Sequence, residues 1–135
     1  MERKKTLTVM LSNNTAEALY HAMVICLSAL EIGWKVNLFV TSNAIPLFTK
    51  KAKKPRFGMN FLVNLYLRFQ FRKLKISDVD KLIKTAITLG MKVYVDEIGL
   101  KISGLNKWDL IENAEIGGGI LFLKVASESD LVLSF

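Results

Sequence analysis

Residues 6–40, TLTVMLSNNTAEALYHAMVICLSALEIGWKVNLFV, decide the fold. Thr6 to Leu11 is short, apolar and β-prone, so it reads as a buried strand. Ser12-Asn13-Asn14-Thr15 is a turn with several residues able to cap a helix. Ala16 to Ile32 carries helical spacing, and Gly33 closes it as a C′ glycine. Lys35 to Val40 is a second strand, followed by the polar turn Thr41-Ser42-Asn43. Both connections are short. The two strands should therefore lie parallel, joined by a right-handed crossover.

The pattern repeats further along. Met91 to Leu105, MKVYVDEIGLKISGL, reads as a strand over Lys92 to Val95 that stops at Asp96-Glu97. A short apolar-periodic segment follows, closed by Gly104. Before it, Pro46 and Pro55 interrupt regular structure in the stretch Ile45 to Lys75. Gly58 to Lys75 has helical spacing, with Met59, Leu62, Val63, Tyr66 and Phe69 on one face. The spacing predicts another helix over Ser77 to Leu89, with Ser77 as N-cap and Gly90 as its end. Asn106 to Ile111 is one or two helical turns capped by Asn106. Gly117 to Glu128 reads as a helix and Leu131 to Ser134 as a last strand. The expected architecture is α/β: a single-domain, three-layer parallel sheet of four to five strands. It is Rossmann- or flavodoxin-like, with helices on both faces. The domain spans 1–135, with a basic aromatic insertion at 45–75.

Bulk properties set limits on function. The chain has 135 residues, enough for one core, and is 51% hydrophobic. No apolar run is long enough to cross a bilayer. The start, MERKKTLTVM, lacks the apolar run and cleavage site of a signal peptide, so a cytoplasmic protein is expected. One cysteine, Cys26, and one histidine, His21, leave no multi-cysteine or His-rich metal site. No cofactor is implied. The net charge of +7 is local. Lys50 to Lys75 holds nine basic residues and no acid, whereas the rest of the chain is slightly acidic.

Several groups are candidates for chemistry. In a parallel α/β sheet, ligands bind beyond the carboxyl ends of the strands. Asp96 and Glu97 occupy such a position. Either residue would bind a cation, a hydroxyl or a partner's basic side chain, or act as a base; the alternative is a solvated loop or a cap on the short helix that follows. Lys101 is spaced to pair with Glu97. Asn13 and Asn14 follow the first strand and would line the same crevice, or cap the first helix. Gly117 and Gly118 sit in a glycine run that permits tight packing or an anion at a helix start. Cys26 lies mid-helix among apolar neighbours, the setting of a core cysteine rather than a nucleophile. His21 is five residues away, about 140° round the helix, and is not its base. The basic stretch interleaves Lys50, Lys51, Lys53, Lys54, Arg56, Arg68, Arg72 and Lys73 with aromatic residues. It reads as a partner-docking surface or a solvated face. Peripheral membrane contact is compatible with it, and nucleic acid is not the expected partner.

Three pieces together resemble the DsrE/DsrF-like family of small sulfur-relay proteins. They are KKTLTVMLSNNTAEALYHAMVICLSALEIGWKVNLFVT, ITLGMKVYVDEIGLKISGL and NKWDLIENAEIGGGILFLKVASESDLVLSF. The resemblance implies a flavodoxin-like sheet and a homo-oligomer, a trimer or larger. It implies, as partner, a TusA-like sulfur carrier or a DsrE-like paralogue. In some members a cysteine just after the central strand accepts sulfur. The resemblance places that position on Asp96, and a carboxylate cannot become a persulfide. The expectation is a non-catalytic or binding subunit in intracellular sulfur trafficking, not an enzyme of the usual type. The alternatives are a sulfurtransferase using Cys26 and an anion- or nucleotide-binding module.

Overall fold

The computed structural model describes residues 3–51 and 79–135, together with Tyr66, Phe69 and Gln70. The elements are β1 (Thr6–Leu11), α1 (Ala16–Glu31), β2 (Lys35–Val40), a 3-10 helix (Ser42–Phe48), α2 (Val79–Thr88), β3 (Lys92–Val95) and α3 (Glu97–Ile102). A 3-10 turn (Lys107–Asp109), β4 (Ala114–Ile116), α4 (Gly119–Ser127) and β5 (Leu131–Ser134) complete the order. Among the described residues the strands form one sheet in the order β4-β3-β2-β1-β5. Every pair is parallel.

The topology follows from this order. The chain steps from β1 to β4 in one direction across the sheet, then returns past three strands to place β5 beside β1. Right-handed crossovers put helices of the forward steps on one face and α4 on the other. The packing agrees. Leu7, Val9 and Leu11 of β1 share a buried cluster with Val36, Leu38 and Val40 of β2, Val93 and Val95 of β3, and α1 and α2. The alternate residues point the other way, as the two-residue period of a strand requires. There Phe39 stacks on Tyr94 at 4.8 Å and meets Phe122 of α4 edge-on at 5.1 Å.

Helix α1 buries Ala16, Leu19, Ala22, Met23, Cys26 and Ala29, spaced three and four apart. Thr15 starts it by accepting from the Ala18 amide. Gly33 ends it at φ +87°, where a side chain would be strained. Thr8, buried in β1, faces α4 and lies 2.6 Å from the Ser129 hydroxyl. Ser129 donates to the Val125 carbonyl, so Thr8 is the donor of that pair and no polar group is stranded. Each fully buried Leu, Val or Ile of the core contributes about 1.5–3 kcal/mol over exposure.

Three features depart from the sequence reading. First, β4 was not among the expected strands. It has three residues, sits at the sheet edge, and shows neither an apolar run nor a clear alternation. Second, Ile45, Leu47 and Phe48 do not belong to an irregular insertion. They are buried in a 3-10 helix that contains Pro46. Backbone bonds from Ile111 to the Phe48 carbonyl and from Lys50 to the Asp109 carbonyl fasten this segment to the core. Third, the last helix begins at Gly119, because the Gly117 amide still continues the sheet by donating to Val95. The expected helix over Gly58–Lys75 lies outside the described residues except at Tyr66, Phe69 and Gln70, which are helical. Ser77 also lies outside them.

Candidate functional site at the carboxyl ends of the strands

Register sets the site. Leu11 pairs with Val40, Val40 with Val95, and Val95 with Ile116. The next amide on each strand carries the ladder one step further. Thr41 donates to Leu11, Asp96 to Val40 and Gly117 to Val95, at 2.9, 3.0 and 2.9 Å. The loop tips after the first four strands therefore stand in one row.

Asp96 is the N-cap of α3. Its carboxylate accepts from the Gly99 amide at 2.9 Å. The capping role foreseen for this residue is therefore present. Glu97 is turned away and pairs with Lys101 at 3.4 Å on the exposed side of α3. The start of α3 lies tight against the 3-10 helix. A Cβ on Gly99 would fall 2.7 Å from Ile45 Cδ1 and 3.0 Å from Asp96 Oδ2. On the same turn Ser42 adopts φ +51°, a conformation uncommon outside glycine and asparagine.

These segments enclose an open cleft of about 660 Å³. Its lining includes Asn14, Ser42, Asn43, Asp96, Ile98 and Ile102. Of the residues expected here, Asn14 and Asp96 meet in the cleft, whereas Asn13 and Glu97 do not line it. Capping does not explain Asn14, because Thr15 takes that role. Gly117 and Gly118 lie at the tip of β4 but outside the cleft lining. Gly117 is buried, with Leu121 and Tyr94 where a side chain would go, so its smallness serves packing. Ser42, Asn43, Ile98 and Ile102 were not singled out from the sequence. The rule that found Asp96 also applies to the turn after the second strand, and it would have found Ser42 and Asn43.

Cys26 is fully buried in the core. Burial pushes its thiol up to about 12. The thiolate is the sulfur nucleophile, and this environment disfavours it. His21 is exposed and lies edge-on to Tyr20, away from Cys26. Lys50 and Lys51 are exposed and line a neighbouring hollow with Pro46 and Trp108. Lys53, Lys54, Arg56, Arg68, Arg72 and Lys73 lie outside the described residues. Among the described residues no three His, Cys, Asp or Glu side chains cluster to hold a metal ion. No described helix is long and apolar enough to cross a membrane.

An uncharacterized protein of Methanocaldococcus jannaschii, MJ0989, is 31% identical over 119 residues, covering 88% of each chain. The crystal structure of the ychN protein from E. coli superposes with a TM-score of 0.70 at 18% identity. The match covers 98% of this chain and 100% of that one. MTH1491, a protein of unknown function from Methanobacterium thermoautotrophicum, gives a TM-score of 0.68 at 7% identity, over 96% and 99% of the two chains. These two likenesses show the fold alone. The model of the DsrE/DsrF-like family matches residues 4–135, and the chain belongs to that family.

Proposed function

We propose that this chain is a binding subunit of the sulfur-relay type that does not itself carry sulfur. The family supplies the relay role at a general level. One observation carries the finer reading. The place where the resemblance puts a sulfur-accepting cysteine holds Asp96, whose carboxylate caps α3 in the thiol's stead. The remaining cysteine, Cys26, is sealed in the core, which weighs against a sulfurtransferase working through it. An anion- or nucleotide-binding module gains no support from the cleft, where Asp96 is the one charged residue among the described residues of the lining. In this reading the chain assembles with copies of itself in the cytoplasm and presents the cleft to a sulfur carrier or a catalytic paralogue.

The test is sulfur uptake. The native protein is offered tetrathionate and its mass measured before and after. Attack by a thiolate would leave a thiosulfonate on the cysteine and release thiosulfate. No mass gain is expected, with slow thiol labelling that becomes fast on denaturation. A native mass gain at Cys26 overturns the proposal. Asp96→Cys serves as the positive control: the new thiol, at the sheet's carboxyl end, should be labelled faster than Cys26.

A further inference from the structure

We infer that the cleft receives a lysine or arginine side chain of a partner protein, presented between apolar residues. The inference rests on the binding-subunit reading and names what is bound. Among the described residues that line the cleft, Asp96 is the only charged one. Among the described residues no lysine or arginine pairs with it; the ion pairs there are Arg3 with Asp130 and Lys101 with Glu97. One carboxylate oxygen holds the Gly99 amide, which leaves the other for a donor from outside. The surrounding polar groups add acceptors. Asn14 and Asn43 carry amide oxygens, and Ser103 has committed its proton to the Gly99 and Leu100 carbonyls, so its lone pairs remain. A guanidinium or ammonium supplies only donors and matches this set.

The rim selects what flanks the cation. Ile98 and Ile102 are four residues apart, so they share one face of α3. They are 68% and 82% exposed and both line the cleft. A free metal ion would find a single carboxylate, which is too few ligands. An anion would meet like charge. A basic side chain with aliphatic neighbours satisfies both the carboxylate and the shelf.

The experiment is an amide NMR titration of the full chain with acetyl-Leu-Arg-Leu-amide. The control peptide carries citrulline, which keeps the arginine shape without its charge. The arginine peptide should shift the Asn14, Asn43 and Gly99 amides and bind about tenfold more tightly than the citrulline peptide. Asp96→Asn keeps an N-cap, because asparagine caps as well as aspartate. It should reduce the arginine peptide to the citrulline level. Ile102→Ser, at an exposed site, should weaken both peptides. Equal binding of the two peptides, shifts confined to other surfaces, or indifference to Asp96→Asn overturns the inference. Concentration-dependent shifts at these amides without peptide would mean that a second copy fills the cleft, and would overturn it too. Sulfur uptake by Cys26 would remove the underlying reading while leaving the peptide result standing.

Discussion

Replacing Gly99 by alanine tests the close approach that shapes the cleft. In a helix, alanine is favoured over glycine by about 1 kcal/mol, so an unobstructed site would be stabilised. Here the new methyl would lie 2.7 Å from Ile45 Cδ1, 3.0 Å from Asp96 Oδ2 and 3.4 Å from the Ser42 nitrogen. Ile45 is fully buried, so its methyl has little room to retreat. Overpacking of this kind costs about 1–3 kcal/mol. A 2.7 Å contact with a fully buried methyl belongs in the upper half of that range, so after the helix gain a net loss of roughly 1–2 kcal/mol remains. For a chain of this size that lowers Tm by roughly 3–8 °C. The partner variant is Ile45→Val, which deletes Cδ1 at a cost of about 0.5–1.5 kcal/mol. In that background Gly99→Ala should be nearly neutral, a coupling of about 1–2 kcal/mol. Urea unfolding of the four proteins, with constant m, gives the coupling directly. Additivity within about 0.5 kcal/mol, or a Gly99→Ala protein as stable as the parent, would refute the contact as the reason for glycine.

Two further outcomes follow from caps and charges. Asp96→Ala should cost about 1 kcal/mol in urea unfolding, whereas Asp96→Asn should lie within a few tenths of the parent; equal stability of all three would deny the cap. Asp130 accepts from the Thr6 amide at 2.8 Å and from Arg3 at 2.7 Å. The Thr6 amide above all holds the carboxyl below its ordinary range; desolvation, the next effect, opposes it, and Arg3 and then Lys5 add to the depression. A carboxyl depressed in the folded state stabilises above its unfolded value, about 3.9, and loses that contribution as pH falls through the folded value. Asp130→Asn should therefore show a shallower fall of Tm between about pH 5 and pH 2 than the parent. Parallel curves would count against it.

The sequence disclosed the parts of the fold that carry periodicity or punctuation. The β1-α1-β2 unit has both: apolar runs of strand length, a helical stripe, and Gly33 at the turn. Asn106 was legible as a cap because the pattern Asn106 to Asp109 is local, and the structure completes it as a reciprocal capping box. What escaped depends on distant contacts. Ala114-Glu115-Ile116 is a strand only because β3 offers it a ladder. Ile45 to Phe48 is ordered by Ile111 and its neighbours, some sixty residues away, and Pro46 disguised it as a break. At the site, strand position was enough to find Asp96 and Asn14. The shelf of Ile98 and Ile102 was hidden, because an isoleucine on a short helix looks like core until the fold shows that no described residue covers it.

The pairing of β1 with β5 constrains how the protein comes to be folded. Of the five described strands β1 is synthesised first, and one of its two edges is filled by β5, synthesised after the other four. The Thr6 carbonyl accepts from the Asp130 amide, and the Met10 carbonyl from the Phe135 amide. Until β5 emerges, the nascent chain carries β1 with an unsatisfied edge, open to pairing with any extended peptide nearby. The delay spans more than 120 residues of translation, since Thr6 and Asp130 lie 124 apart. Local helices can form early, but β1 gains its second neighbour only once β5 has emerged, by a slow, long-range step. Chaperone demand should therefore last until β5 has emerged, and chains halted before Leu131 should aggregate where chains that include β5 do not.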